Sequence, residues 1–361
     1  MKALISNRNI ITRVLNLSLG KSLGQGVELK DVAVPTILDD EILVKVLAVA
    51  LNPTDFKHID FISPPHSIIG CDYVGEVAKV GRNAAKAWNI GDRVAGAVHG
   101  GIYSDRGAFA EYLKIDSDLA WKVPPGVSDA EATTYGISAI SAMLALNVHL
   151  GIPWADEPRK AQHRGAVTHP SVFIYAGSTC AGLFCIQLAK AAGYTVVTTA
   201  SPRSFDLVKR YGADRVFDYR SPNATDEITK EFPNITSAVD CFSEGSSTEF
   251  CATVLKKNGG KVVTLLDQGT SKIKGVEYEM IMAYTLFGRA FSLLPPIGPK
   301  FEAKPLDRNA LARFYASLPQ VAKDVKPPPI SIVDGGFDGI LLGLNQLRRG
   351  EVSGSKLVVN L

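Results

Sequence analysis

Between Val172 and Leu266 short apolar runs alternate with helical stretches at a near-constant spacing. They read as strand Val172–Tyr175, helix Ala181–Ala192, strand Thr195–Thr199, helix Ser204–Tyr211, strand Arg215–Phe217, a helix near Asp226–Glu231, strand Ala238–Cys241, helix Ser247–Lys256 and strand Lys261–Leu266. Strands separated by helices of this length form βαβ units, and so a parallel sheet covered by helices. A last sheet strand is expected from Glu279 to Phe287. At 361 residues the chain exceeds one ordinary domain of roughly 100–200 residues, so a second domain is expected.

The first third reads as all β: Glu41 to Ala50, Tyr73 to Val80, Arg93 to Val98 and Phe109 to Ile115 are β-rich runs bounded by Pro, Gly and Asp. A helical run opens at Asp129, with Ser128 as its N-cap, and continues through Leu150. The polar segment from Gly151 to Pro170 reads as an exposed loop. Beyond Pro295, Pro296 and Pro299 come a helix near Asp307 to Leu318, three prolines at 327–329, and a tail that returns from Ile330 to strand, helix and strand. The expected fold is α/β: a β domain over 1–125, a Rossmann doubly wound parallel-sheet domain over 126–324, and a tail over 325–361 that rejoins the β domain. A ligand cleft is expected with them.

Lys and Arg number 39 against 36 Asp and Glu, a net charge of +3 with no basic stripe, which argues against nucleic acid or an acidic membrane as main partner. The longest apolar stretch, Ile42 to Leu51, is interrupted by Lys45 and far shorter than the roughly 20 residues of a membrane span. The start of the chain lacks the features of a secretory signal, so a cytoplasmic protein is expected. Cys71, Cys180, Cys185, Cys241 and Cys251 are odd in number and contain no Cys-x-x-Cys pair, so free thiols are expected. The six histidines show no metal-ligand spacing with a Cys or carboxylate.

The turn after Val172–Tyr175 carries the most specific signal. In Ala176-Gly177-Ser178-Thr179-Cys180-Ala181-Gly182 small residues stand between a strand and a helix, where backbone N–H groups and the positive helix end suit a pyrophosphate. The match to G-x-G-x-x-G is imperfect, and a plain strand–turn–helix is the alternative. After the next strand, where an NAD site usually has a carboxylate for the ribose hydroxyls, the chain reads Ala200-Ser201-Pro202-Arg203-Ser204. Hydroxyls and a guanidinium suit a 2′-phosphate, so the expected cofactor is NADPH. The alternative is that Ser201 and Ser204 cap a helix and Arg203 is solvated.

Several strings together carry a resemblance: Ala50-Leu-Asn-Pro-Thr-Asp-Phe-Lys57, Ile69-Gly-Cys-Asp-Tyr-Val-Gly75, Val80-Gly81, Gly91-Asp-Arg-Val94, Gly107-Ala-Phe-Ala-Glu-Tyr112 and the glycine-rich turn. The chain resembles the medium-chain dehydrogenase/reductase superfamily in its zinc-free, quinone-oxidoreductase-like branch. Val98-His-Gly100, Tyr175-Ala-Gly-Ser-Thr179, Thr199-Ala-Ser-Pro202, Gly212-Ala-Asp, Val216-Phe-Asp-Tyr219 and Val352-Ser-Gly-Ser-Lys-Leu-Val-Val359 are similar to fungal trans-acting enoyl reductases that serve polyketide synthases. The resemblance implies a GroES-like β domain. Where the superfamily's zinc enzymes place catalytic ligands, this chain has Pro53, Cys71 and Asp72, and no structural-zinc cysteines lie between Cys71 and Cys180, so no metal is expected.

The resemblance also implies site residues. Thr54, Asp55, Phe56 and Lys57 would border the nicotinamide. Ser178, Thr179, Cys180 and Ala181 would meet the pyrophosphate, and Ser201, Pro202, Arg203, Ser204 and Tyr219 the adenosine phosphate side. Leu265, Leu266, Val352 and Ser353 would close over the cofactor. Lys57 is the catalytic candidate, an ammonium beside a developing enolate oxygen, with an ordinary surface lysine as the alternative; Tyr219 has the alternative of a core aromatic.

Ala139, Ile140, Ser141 and Met143, with Leu286, Phe287, Gly288, Arg289 and Ala290, would line the substrate pocket. The related reductases commonly present a hydroxyl where this chain has Ala139. The implied reaction is NADPH-dependent reduction of an enoyl thioester on a carrier protein of a polyketide synthase acting in trans. Pro295, Pro296 and Pro299, which cannot donate to a sheet ladder, closely follow the last expected strand, so a monomer is preferred over a dimer. The rivals are a free-substrate reductase of quinones, enones or imines, and a nucleotide-binding protein without turnover.

Overall fold

The computed structural model describes residues 1–157 and 170–361, so most of the segment read as an exposed loop, with His163 and His169, lies outside the described residues. Contacts gather the chain into two units: residues 1–137, 284–319 and 329–361, and residues 138–283 with 320–328.

The second unit is built on six strands, in the order Arg215–Asp218, Thr195–Ala200, Ser171–Tyr175, Ser237–Asp240, Gly260–Thr264 and Val276–Met280, every neighbour parallel. The chain order 3-2-1-4-5-6 is that of a dinucleotide-binding sheet, which reverses direction between the first and fourth strands. Helices cover both faces, and so the inner strands are apolar along their whole length; Phe173, Val197, Val262, Cys251 and Leu255 are buried in one cluster.

The last strand is not the expected 279–287. It runs from Val276 to Met280, and residues Ala283–Phe287 form a 3₁₀ turn. As an edge strand it alternates polar and apolar residues, which an apolar-run criterion passes over, whereas the apolar run after it packs in the first unit. Glu277 and Glu279 lie on this edge, and Glu279 is held by Lys261 Nζ at 2.5 Å and His149 Nδ1 at 2.8 Å. The segment 284–319 likewise sits in the first unit rather than in a continuous 126–324 domain. There Thr285 donates to Asp307, and Arg308 donates to both carboxylate oxygens of Asp118 at 2.8 Å. Pro295, Pro296 and Pro299 follow the short strand Phe291–Ser292 in that segment.

The first unit holds a seven-stranded sheet centred on Glu41–Ala50. It pairs with Tyr112–Asp116, with the tail strand Lys356–Asn360 and with Asp72–Val80, the last pairing carrying register shifts between Leu43 and Val44 and between Val46 and Ala48. The tail strand Lys356–Asn360 thus lies in the sheet of the first unit.

The first third is not all β. Helix Ile10–Leu19, capped by the Asn9 side chain on Thr12 N and ended by Gly20 at φ 61°, connects the paired strands Lys2–Ser6 and Val27–Asp31. It turns Arg13 and Asn16 inward, where they donate to Ile62 O at 2.9 Å and Asp60 O at 2.8 Å, and leaves Ile11, Leu15 and Leu19 exposed. An apolar stripe marks the outward face, the reverse of the usual pattern.

The helical run from Asp129 is interrupted. Ser128 and Glu131 form the expected capping box, but the helix breaks at Gly136 and resumes as Ile137–Met143, followed by a π turn over Leu144–His149. The cause is Asp72: its Oδ1 accepts from Ile137 N at 2.7 Å, and a Cβ at residue 136 would lie 2.1 Å from that oxygen.

Candidate active site

In the second unit the turn residues come together at the carboxyl ends of the parallel strands. Ala176 takes a left-handed φ of 57°, and Gly177 N donates to Thr199 O at 2.9 Å. A Cβ on Gly177 would meet Thr198 Oγ1 at 2.1 Å, and one on Gly182 would meet Ala176 O at 2.5 Å, so both positions require glycine for close approach. Thr179 caps the twelve-residue helix Cys180–Ala191 by accepting from Gly182 N at 3.0 Å, and no acidic residue lies in its first turn. Ser178, Thr179, Cys180 and Ala181 thus gather at a helix N-terminus suited to an anion, and the cradle fits a pyrophosphate.

Ser201–Ser204 close one 3₁₀ turn at the end of Thr195–Ala200, with Ser204 N donating to Ser201 O at 2.8 Å. Arg203 is exposed there, and Tyr219, 42% exposed, stands beside Tyr175 with ring centroids 6.1 Å apart; it is not a core residue. Leu265 and Leu266 follow Gly260–Thr264, at the same end of the sheet.

One organiser went unread in the sequence. Asp240 is buried at the end of the fourth strand and accepts from Phe242 N, Ser243 N, Ser247 Oγ and Thr248 Oγ1 at 2.6–3.1 Å, while Ser243 Oγ accepts from Leu265 N at 2.8 Å. The carboxylate followed by four hydroxyl residues, Ser243, Ser246, Ser247 and Thr248, was its only sequence signal. Ala139, Ile140, Ser141 and Met143 are all buried in helix Ile137–Met143.

In the first unit the strand Glu41–Ala50 leads into a buried polar cluster. Asp55 accepts from Asn52 N at 2.7 Å and closes the short helix Pro53–Lys57. Asp72 accepts from Asn52 Nδ2 at 2.9 Å and Lys356 Nζ at 3.0 Å, and Lys356 also donates to Asn52 Oδ1. Burial, and then the Asp72 charge, push the Asp55 carboxyl up to about 7. Burial likewise pushes the Cys71 thiol well above its usual range.

Lys57 ends the short helix half-buried. The Phe56 ring is covered by the Arg348 guanidinium at 5.3 Å, itself bonded to Asp60. Thr54 Oγ1 lies 2.6 Å from the Tyr284 hydroxyl.

Tyr284 stacks on His99 with centroids 3.8 Å apart, and His58 meets its ring edge-on at 5.3 Å. Burial lowers His58 to about 4; burial and His58 lower His99 well below its usual range, so both imidazoles are neutral near pH 7. Leu286 and Phe287 are buried just beyond Tyr284, Gly288 turns at φ 66°, Ala290 is exposed, and Arg289 is engaged by Asp116 at 2.8 Å. Val352 and the exposed Ser353 lie in the loop before Lys356–Asn360.

A catalytic zinc ion does not fit this donor set. Pro53 has no donor atom, the Cys71 thiol is held protonated, and both Asp72 oxygens are engaged. Among the described residues no group of three or more His, Cys, Asp or Glu side chains converges to hold a metal ion.

Two folds with these sites define a class. Residues 38–125 match the alcohol dehydrogenase GroES-like domain and residues 180–285 the zinc-binding dehydrogenase domain. The chain belongs to the medium-chain dehydrogenase/reductase family, among the fungal trans-enoyl reductases. It is 36% identical to the trans-enoyl reductase caaB of Aspergillus niger, over 91% of this chain and 92% of the relative. It is 39% identical to the trans-enoyl reductase TOXD of Cochliobolus carbonum, over 73% of this chain and 86% of the relative. Among solved structures the CurK enoyl reductase superposes with a TM-score of 0.72 at 16% identity, covering 99% of both chains. A mycobacterial protein complexed with NADPH superposes at 0.70 and 17% identity over the full length of both.

Proposed function

We propose that the protein is an NADPH-dependent enoyl reductase that acts in trans on an α,β-unsaturated thioester carried by a polyketide synthase. The observation that carries this reading is the identity to fungal trans-enoyl reductases across 91% of the chain. The glycine cradle and its capped helix support a dinucleotide, and Ser201, Arg203 and Ser204, with no carboxylate among them, support the 2′-phosphate form. Bound there, the reduced nicotinamide would supply hydride to the β-carbon of the enoyl group.

The chain's own part is to hold the cofactor and to stabilise the charge that moves onto the thioester oxygen. Thr54 and Lys57 are the polar side chains proposed to border the nicotinamide, Lys57 as the cation. The buried face of Ile137–Met143 and the Leu286–Phe287 turn are proposed to shape the pocket. The partner is a carrier-protein domain meeting the reductase transiently, in the cytoplasm, with the reductase a monomer. No helix among the described residues is long and apolar enough to cross a membrane.

The test is a titration with NADPH and NADH, followed by cofactor oxidation with an enoyl thioester and with a simple quinone. NADPH-selective binding with preferred turnover of the thioester is expected; faster quinone turnover would replace this reading with that of a free-substrate reductase. Arg203→Ala is expected to loosen NADPH about tenfold or more while leaving NADH unchanged, one lost charge-assisted contact being worth roughly 1.5–3 kcal/mol. Equal loss for both cofactors would remove Arg203 from the phosphate site.

A further inference from the structure

Cys185 and Cys241, 56 positions apart in the chain, bring their sulfurs to 3.8 Å, with the Cys241 thiol donating to Cys185. We infer that this pair is a disulfide-forming site, oxidised by hydrogen peroxide, and that the closed disulfide loosens the dinucleotide held at the glycine turn. The second half of this inference rests on the reading of that turn as the cofactor cradle; the first half does not.

Both thiols are tied to the turn. Cys185 lies in the helix Cys180–Ala191, and its neighbour Ile186 packs so closely that a Cβ on Gly177 would meet Ile186 Cδ1 at 3.0 Å. Cys241 N donates at 3.2 Å to Tyr175 O, the carbonyl just before the left-handed Ala176. On its other side Cys241 adjoins Asp240, which accepts from Ser243 N, while Ser243 Oγ accepts from Leu265 N.

Closing the bond takes the sulfurs from 3.8 Å to about 2.05 Å. Leu183, Phe184 and Ile186 are fully buried around Cys185, and a close-packed interior passes such a movement on instead of absorbing it. The helix and the strand end are drawn together, and the turn that both support, with no room at Gly177, is displaced.

Cys185 is 1% and Cys241 5% exposed, and Cys241 precedes the half-exposed Phe242, so peroxide meets Cys241 first. The bond to Cys185, and then burial, push the Cys241 thiol well above its usual range. The reaction is therefore slow at neutral pH and quickens as pH rises. The Cys241 thiolate attacks one peroxide oxygen, the O–O bond breaks, and hydroxide leaves with the thiol's proton as water. Cys185 sulfur then attacks the sulfenic acid, the S–O bond breaks, a second water leaves and the S–S bond forms. Two thiols are oxidised and one peroxide is reduced to two waters.

The intact protein is treated with hydrogen peroxide at pH 7 and at pH 9, alkylated, digested, and its linked peptides sequenced by fragmentation. A Cys185–Cys241 cross-link that dithiothreitol reverses is expected, formed faster at the higher pH and lacking in Cys185→Ser and in Cys241→Ser. The oxidised protein is expected to bind NADPH about tenfold more weakly, an ordinary size for coupling between two sites, and to recover with dithiothreitol. Coupling is reciprocal, so saturating NADPH should shift the equilibrium against dithiothreitol towards the dithiol by that same factor.

Peroxide-treated wild type without the cross-link would overturn the proposal and leave the enoyl reductase reading intact. A cross-link with unchanged NADPH affinity would overturn the effect on the cofactor, as would the same loss of affinity in peroxide-treated Cys241→Ser, which would move the effect to another thiol such as Cys180. Reduced protein that binds no NADPH would overturn the cofactor reading and the effect on it together, with the cross-link still decided by the digest.

Discussion

Lys356→Met is expected to destabilise the protein by about 3–5 kcal/mol, the usual cost of leaving one buried charge without its partner. Lys356 and Asp72 are 3% and 0% exposed, and the ammonium bridges Asp72 Oδ2 and the Asn52 side chain. The contact ties the tail strand Lys356–Asn360 to the end of Glu41–Ala50, so it fixes the closing strand of the β unit as well as a charge. Methionine keeps the length and the apolar stem but leaves the carboxylate with Ile137 N and Asn52 alone. Urea unfolding should show a lower midpoint at unchanged slope, and Asp72→Asn added to Lys356→Met should recover much of the loss. A single-variant loss below ~1 kcal/mol would show that the pair is worth no more than a surface ion pair.

Asp55 should make the same unit less stable as pH rises. Its carboxyl is raised from 3.8 to about 7 in the fold by burial first, then by Asp72, against the opposing bond from Asn52 N and the charge of Lys356. Between these values the folded chain binds more protons at this site than the unfolded chain. The contribution is therefore fully present below about pH 4 and disappears as pH climbs through 7, a change on the order of 4 kcal/mol.

His58 and His99 slope the opposite way: lowered in the fold, they take stability away as pH falls below the ordinary histidine range. The difference between wild type and Asp55→Asn isolates the carboxyl. The amide mimics the protonated form, so the two should match near pH 4, and the variant should become progressively the more stable as pH rises to 8. Parallel curves across that range would show that Asp55 ionises as freely in the fold as out of it.

The fold was largely legible because its signals are local. Eight apolar residues among the ten from Glu41 to Ala50, four of them β-branched, give a strand at the expected bounds, and the βαβ spacing gives the parallel sheet with its turn at Gly177. Helix Ile10–Leu19 was hidden because its apolar stripe faces outward while Arg13 and Asn16 are satisfied by backbone carbonyls far along the chain. The break at Gly136 depends on a carboxylate 64 positions earlier, and no local pattern announces it.

The site divides in the same way. The cofactor turn is one continuous segment and could be read from Tyr175 to Gly182. The cluster of Thr54, His99 and Tyr284 comes from three distant stretches, and His58 and His99, individually unremarkable in sequence, acquire meaning only from the ring between them.

The parallel sheet ends in a fence. Two copies meeting edge to edge about a two-fold axis through Tyr278 would set Glu277 of one strand opposite Glu279 of the other, twice over and on one face. Although burial alone would raise it, Glu279 is kept below the usual carboxylate range by Lys261 and His149, so its charge persists into mildly acidic solution. Like charges placed directly across a strand pair oppose association. At this border, one of the two that the sheet has, what stands against a neighbour's strand is the sign of the charge and not proline.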